Sequence, residues 1–161
     1  MRLALAQGEM DNAARLLGRP YSISGHVVHG KKLGRELGFR TLNIAFRHDR
    51  PAAKGIFVVR THGLGPAPVD GVASLGIRPT VEDAGRVLLE VHCLSWEHPT
   101  ELDSAYGKIV AVELLHKLHD ELKYEGLEAL QQGIARDCDD ARAYFASMHT
   151  ETSRQTTRDR I

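Results

Sequence analysis

Between Tyr21 and Leu115 apolar and polar residues alternate with a period near two, broken at intervals by glycine and proline. Tyr21-Ser-Ile-Ser-Gly-His-Val-Val28 alternates loosely and is rich in residues that favour extended chain. Thr41 to Phe46 is short and apolar, and Gly55-Ile-Phe-Val-Val-Arg60 is a clear strand pattern. Val69 to Leu75, Arg86-Val-Leu-Leu-Glu-Val-His-Cys-Leu94 and Ile109-Val-Ala-Val-Glu-Leu-Leu115 complete the set. Gly63-Leu-Gly-Pro-Ala-Pro68 is turn material. Six strands joined by short connections, with no long helix between them, predict a mainly β barrel or sandwich and not a βαβ fold.

The two ends follow a different period. Ala4, Ala13, Ala14, Leu16 and Leu17 are good helix formers, Gly8 interrupts them, and Gly18 and Pro20 stop them. Residues 1–18 are therefore expected to be a short helical linker remnant, too small for a domain. Leu127, Leu130, Ile134, Ala141, Tyr144 and Phe145 recur at roughly helical spacing, predicting one or two amphipathic helices packed over the strands. Residues 147–161 are polar without period and are expected to form a disordered tail, leaving 19–146 as the folded domain.

Composition narrows the function classes. At 161 residues the chain suits one domain with a core of its own. Basic and acidic residues number 21 each, so no general field draws it to nucleic acid or to an anionic membrane. Cys93 and Cys138 are far apart and form no metal or redox pair, which fits two reduced thiols. The first residues turn polar too soon for a signal peptide, and no apolar run approaches the roughly 20 residues that span a bilayer. A soluble, cytoplasmic protein is expected.

Three segments carry candidate chemistry. Gly30-Lys-Lys-Leu-Gly-Arg-Glu-Leu-Gly38 places glycines and the basic Lys31, Lys32 and Arg35 in one loop. Glycine lets backbone N–H groups close on phosphate oxygens, although such a loop is more often a solvated turn, and it matches neither familiar phosphate-binding pattern. In Phe39-Arg-Thr-Leu-Asn-Ile44 an extended chain puts Thr41 and Asn43 on one side, a pair of hard oxygens suited to Mg²⁺ and phosphate, or to capping a turn. In Leu88-Leu-Glu-Val-His-Cys-Leu94, Glu90 and His92 share one face and Leu89, Val91 and Cys93 the other. A carboxylate in an apolar strand either faces water or lines a cleft, where it can act as a general base. His26 and His29 read as strand-end residues, Trp96 as core or rim, and Arg78 as a turn residue with either a phosphate or a surface carboxylate for partner.

Together these segments resemble the riboflavin kinase module of bacterial bifunctional riboflavin kinase/FAD synthetases. The resemblance rests on the run Leu17 to Ile44, on Gly71-Val-Ala-Ser-Leu-Gly-Ile-Arg-Pro-Thr80, on Leu89-Glu-Val-His92, on Tyr106-Gly-Lys108 and on Lys117 to Leu130. It implies a six-stranded antiparallel closed β-barrel with a C-terminal α-helix. It implies transfer of the γ-phosphate of ATP to the 5′-hydroxyl of riboflavin, giving FMN and ADP. By the same resemblance Thr41 and Asn43 hold Mg²⁺ and the ATP phosphates, with Gly30, Lys31, Gly34, Arg35 and Gly38 covering those phosphates. Glu90 takes the place of the catalytic glutamate, and Tyr124 and Leu127 help to enclose the flavin. The family's Pro-Thr-Ala-Asn motif is altered here, with Arg40 for its proline and Leu42 for its alanine. Proline fixes φ, so its loss leaves the backbone ahead of Thr41 less constrained and puts affinity for the metal–ATP complex in question. The first 18 residues resemble the linker from an FMN adenylyltransferase module. That module's His-x-Gly-His-type motif is not in this sequence, so a fragment making FMN but not FAD is expected. Two other readings compete: a barrel that binds flavin or nucleotide without turnover, and a nucleic-acid-binding barrel. The second conflicts with the zero net charge and the 6% aromatic content.

Overall fold

In a computed structural model, which describes residues 1–30, 37–47, 50–77, 87–95 and 104–158, the alternating segments form six strands. These are β1 (Tyr21–Val28), β2 (Thr41–Ala45), β3 (Gly55–His62), β4 (Val69–Ile77), β5 (Val87–Cys93) and β6 (Ile109–His119). Their order, β1-β2-β5-β4-β3-β6, closes into a barrel in which every neighbouring pair is antiparallel. Closure leaves no unpaired sheet edge. This is the six-stranded closed barrel that the resemblance implied.

Period two decides what fills it. Leu42 and Ile44 of β2, Phe57 and Val59 of β3, and Ala73 and Leu75 of β4 point inward with almost no exposure, as do Leu89 and Val91 of β5 and Val112 and Leu114 of β6. Full burial of each larger side chain among these stabilises the fold by about 1.5–3 kcal/mol. The opposite parity lies outside and is free to serve other purposes.

One end of the barrel is covered by two short helices, α1 (Arg2–Gln7) and α2 (Met10–Leu17). Gly8 and Gly18 end them in the left-handed region, at φ 75° and 74°. Ala4, Leu5, Met10 and Ala13 belong to the barrel's own core. The segment expected to be a linker remnant is thus packed on the barrel, through two buried residues from each helix.

Helix α3 (Leu127–Arg158) lies on the outside of β3 and β4. Cys138, Ala141 and Phe145 form a second core with Val58 and Val72, flanked by Ile134 and Met148. That spacing, alternately four and three residues, keeps one stripe facing the sheet. Cys93 and Cys138 are both free and buried in these two cores, and burial pushes their thiols up to about 12 and about 11. The helix continues through residues 147–158, where the sequence suggested a disordered tail. A lack of apolar period shows only that nothing packs there, and from His149 to Gln155 each residue is exposed. A helix nucleated by packing propagates at little cost, and hydroxyls turn back onto it: Thr150 donates to the Ala146 carbonyl at 3.1 Å and Ser153 to that of His149 at 2.9 Å.

Register shifts opposite Ile56/Phe57 and Val58/Val59 twist the end of β6 so that it faces α3. His116 stacks on Tyr144 with ring centroids 5.3 Å apart. His119 bonds the Asp120 carbonyl through Nδ1 at 2.6 Å and the Asp137 carboxylate through Nε2 at 2.7 Å. Both partners are acceptors, so the doubly protonated ring satisfies both. Burial works against that charge, but the Asp120 carbonyl and the Asp137 and Asp140 carboxylates outweigh it and raise the His119 pKa above its ordinary 6.5. A folded-state value above the unfolded one contributes stability that is full below 6.5 and is lost as pH rises through the folded value. The melting temperature of His119→Gln is therefore expected to fall short of the wild type's most in mildly acidic buffer. The gap should narrow in mildly alkaline buffer, and thermal denaturation across that range measures it.

Candidate active site

The outward parity of β2, β5 and β4 assembles a polar row. Asn43 is in register with Glu90, and Glu90 on its other side with Ser74. One step along, Thr41 faces His92, which faces Val72. Side chains in register on neighbouring strands have Cβ atoms about 4.5–5.5 Å apart. The four candidates from two sequence segments, Thr41, Asn43, Glu90 and His92, therefore form one patch. Glu90 is half-buried, lying outside the core as its strand parity predicted.

Asn43 is 6% exposed, and its Oδ1 has no hydrogen-bond partner among the described residues. An orphaned buried acceptor costs about 1–3 kcal/mol unless something satisfies it. A neutral hard oxygen in that state fits a divalent cation or a ligand N–H or O–H. Gly30 closes over it: a Cβ at residue 30 would run into the Asn43 carboxamide. Glycine is thus required at the first position of the proposed phosphate loop for close approach. At Gly38 the requirement differs, since that residue has φ 81° and open space around it. Lys31, Gly34 and Arg35 lie outside the described residues, as do Lys32, Arg78 and Trp96.

The stems of this loop are held from three directions. Before it, the Gly107 amide donates to the Val27 carbonyl and the Val27 amide to that of Lys108, each at 2.9 Å. His29 stacks on Tyr106 with centroids 3.7 Å apart. After it, Gln131 of α3 donates through Nε2 to the Leu37 carbonyl at 3.2 Å, and Phe39 packs into the second core. Helix and loop stem are thus one packed unit.

Two functional candidates had no clear signal in the sequence. Ser74 Oγ donates to Glu121 Oε1 at 3.1 Å, and a Cβ at Gly76 would meet the same carboxylate. Glu121 therefore crosses β4 beside the Asn43–Glu90–Ser74 row and brings with it the segment that leads into α3. Of the two flavin candidates on that segment, Tyr124 lies with its hydroxyl and ring against Gly133 of α3, where a Cβ would collide with it. Leu127, the first residue of α3, is 58% exposed. Glu121 anchors their segment next to the row. His26 sits within β1, paired with Ala45 and Ile109, away from this patch.

A hydroxyl, a carboxamide and a carboxylate in register on the outer face of a closed barrel, with Gly30 close over the carboxamide, are groups that can meet a cation and phosphate and take up a proton, as a small phosphoryl-transfer enzyme requires. The chain belongs to the riboflavin kinase family: the family model described as Flavokinase, riboflavin kinase, matches residues 17–145. It is 42% identical over 145 residues to the bifunctional riboflavin kinase/FMN adenylyltransferase of Escherichia coli (strain K12), over 90% of this chain and 44% of that one. The chain thus spans about half the length of the curated relatives it matches. Among solved structures it is similar to the riboflavin kinase from Trypanosoma brucei, with TM-score 0.53, 25% identity and coverage of 79% of this chain and 80% of that one. It is also similar to a structure titled macrolide-efflux protein from Streptococcus pneumoniae, with TM-score 0.74, 27% identity and coverage of 88% and 44%. Among the described residues no helix is long and apolar enough to cross a membrane.

Gly30→Ala tests the packing of this site without reference to turnover. The added methyl is expected to expel the Asn43 carboxamide from beneath the loop while the barrel stays folded. Side-chain amide resonances of Asn43 should move, with most β-strand amide resonances unchanged.

Proposed function

We propose that the patch formed by β2, β5 and β4 transfers the γ-phosphate of ATP to the 5′-hydroxyl of riboflavin, giving FMN and ADP, with Mg²⁺ as the divalent ion. The observation that carries the assignment of roles is the buried Asn43 Oδ1, which has no hydrogen-bond partner among the described residues, on a residue in register with Glu90 of the adjacent strand. Phosphoryl transfer depends on positioning and electrostatics more than on covalent chemistry from the protein. Thr41 and Asn43 offer two neutral oxygens, which suit an ion that takes most of its charge compensation from phosphate. The ion, when bound, neutralises charge on the phosphate oxygens. Gly30 brings the loop backbone down onto the phosphates, and Lys31, Gly34, Arg35 and Gly38 complete that cover. Glu90, one strand over, accepts the proton of the ribityl hydroxyl as its oxygen attacks phosphorus. The Ser74–Glu121 bond holds the segment of Tyr124 and Leu127 alongside, where those two side chains wall the flavin.

This reading places the kinase unit in residues 19–146, with α1 and α2 leading in from an FMN adenylyltransferase module such as the relatives' names describe. It also sets the reaction in the cytoplasm, consistent with two buried free thiols.

The test is incubation of the chain with riboflavin, ATP and Mg²⁺ and chromatographic separation of the flavins. FMN should form, and chelation of the divalent ion should stop it. Glu90→Gln is expected to lower kcat by about 10²–10⁴-fold, the usual contribution of a positioned base, with riboflavin affinity nearly unchanged. Full activity in that variant overturns the role of Glu90. Riboflavin bound without FMN formed would make the chain a binding barrel instead.

A further inference from the structure

The backbone ahead of Thr41 lacks the ring of a proline, since residue 40 is arginine. It is held in another way. His92 Nδ1 lies 2.8 Å from the carbonyl oxygen of Arg40, across the β2–β5 pair in which His92 faces Thr41. A carbonyl only accepts, so Nδ1 carries the hydrogen and the neutral tautomer is fixed. The ring is half-buried and meets Phe39 edge-on, with centroids 5.5 Å apart and planes at 81°. Burial holds the imidazole below its ordinary range; the Arg40 carbonyl opposes this, and the Arg142 charge adds to it. The Arg40 carbonyl belongs to the peptide plane whose other half is the Thr41 amide. A bond that fixes that carbonyl fixes the plane and hence the direction in which the Thr41 side chain leaves it.

We infer that His92 is a positioning residue: its Nδ1–H locks the Arg40–Thr41 peptide so that the Thr41 hydroxyl is aimed at the metal–ATP complex. The inference rests on the reading of Thr41 given above. His92 itself touches no reactant. Its neighbour in register takes the ligand, and two positions along the same strand Glu90 takes the proton. One strand thus sets both ends of the transfer.

The full chain carrying His92→Asn or His92→Leu provides the test. The two side chains are nearly isosteric, but only asparagine offers a donor close to where Nδ1 stands. Loss of one neutral hydrogen bond corresponds to about a fivefold change. His92→Leu should raise the KM for Mg²⁺–ATP by about that factor, leave the KM for riboflavin unchanged, and shift the Thr41 amide resonance. His92→Asn should recover most of the ATP affinity. Thr41→Ala should raise the same KM, and His92→Leu combined with Thr41→Ala should be no worse than Thr41→Ala alone, since the histidine acts through the threonine. Equal losses in the Asn and Leu variants, additive losses in the double variant, or a loss on riboflavin overturn the inference and leave His92 a packing residue. If Thr41→Ala alone has no effect on the ATP KM, the role of Thr41 falls and this inference falls with it. A harmful Thr41→Ala beside a harmless His92→Leu overturns the inference only.

Discussion

Pairing of β2 with β5 is the constraint on which the rest of this structure depends. Both strands are short, and both bear apolar residues on one parity and reactive ones on the other. In the observed register Leu42 and Val91 lie back to back with the core, while Asn43 and Glu90 meet outside. A slip of one residue in either strand would put a carboxylate or a carboxamide among Leu75, Leu89 and Val112. Burying a charge without a partner costs more than a small domain can spare. The core therefore enforces the site: the apolar residues that exclude the slip are the ones that set Glu90 beside Asn43.

The second core extends that order to the edges of the site. Helix α3 is seated by Val58 and Val72 through Cys138, Ala141 and Phe145, and from that seat it reaches in two directions. Gln131 holds the loop stem at Leu37, and Asp137 holds the end of β6 at His119. Between these two grips runs the chain from Asp120 to Gly126, in which Glu121 rests on Ser74 and over Gly76. The register shifts in β6 make this possible, because without them the face that carries His116 and His119 would turn away from the helix. Leu37, after the loop, and the segment that carries Tyr124 are thus both held by the same helix. The helix and the barrel are both parts of the site.

Much of this was legible in the sequence because period two reports two things at once. Alternation in Leu88 to Leu94 marks a strand and also says that Glu90 and His92 share a face. The same holds for Thr41 and Asn43. What alternation does not contain is pairing: nothing in either segment says that β2 lies against β5, so the meeting of Asn43 with Glu90 came from family resemblance and not from spacing. Ser74 and Glu121 were missed for the same reason. They are 47 residues apart, and a serine in a strand has no signature of its own. The one trace is Gly76, which the sequence pattern left just past the strand ending at Leu75 but which lies within β4, where a glycine marks a close approach by something. At the N-terminus the two helices were legible but their packing on the barrel was not, and at the C-terminus polarity misled. Four buried side chains suffice to seat α1 and α2, and a helix already nucleated by packing continues through residues that would not start one.

The charge of the candidate site suits what the proposed reaction would ask it to hold. A metal–nucleotide complex is anionic, and a cluster of carboxylates beneath it would repel the phosphates as strongly as it attracted the cation. Among the described residues no group of three or more acidic, histidine or cysteine side chains stands ready to hold a metal. For an ion bound largely by water and phosphate this is no deficit, since one or two protein oxygens are enough to place it. In the proposed reaction the neutral oxygens of Thr41 and Asn43 would serve without adding negative charge. Glu90 then stands one strand spacing from them, near enough to take a proton from an attacking hydroxyl and outside the pair that would hold the ion. On that proposal, separating the neutral ligands from the charged base by one strand would let a chain of zero net charge carry both functions on a single face.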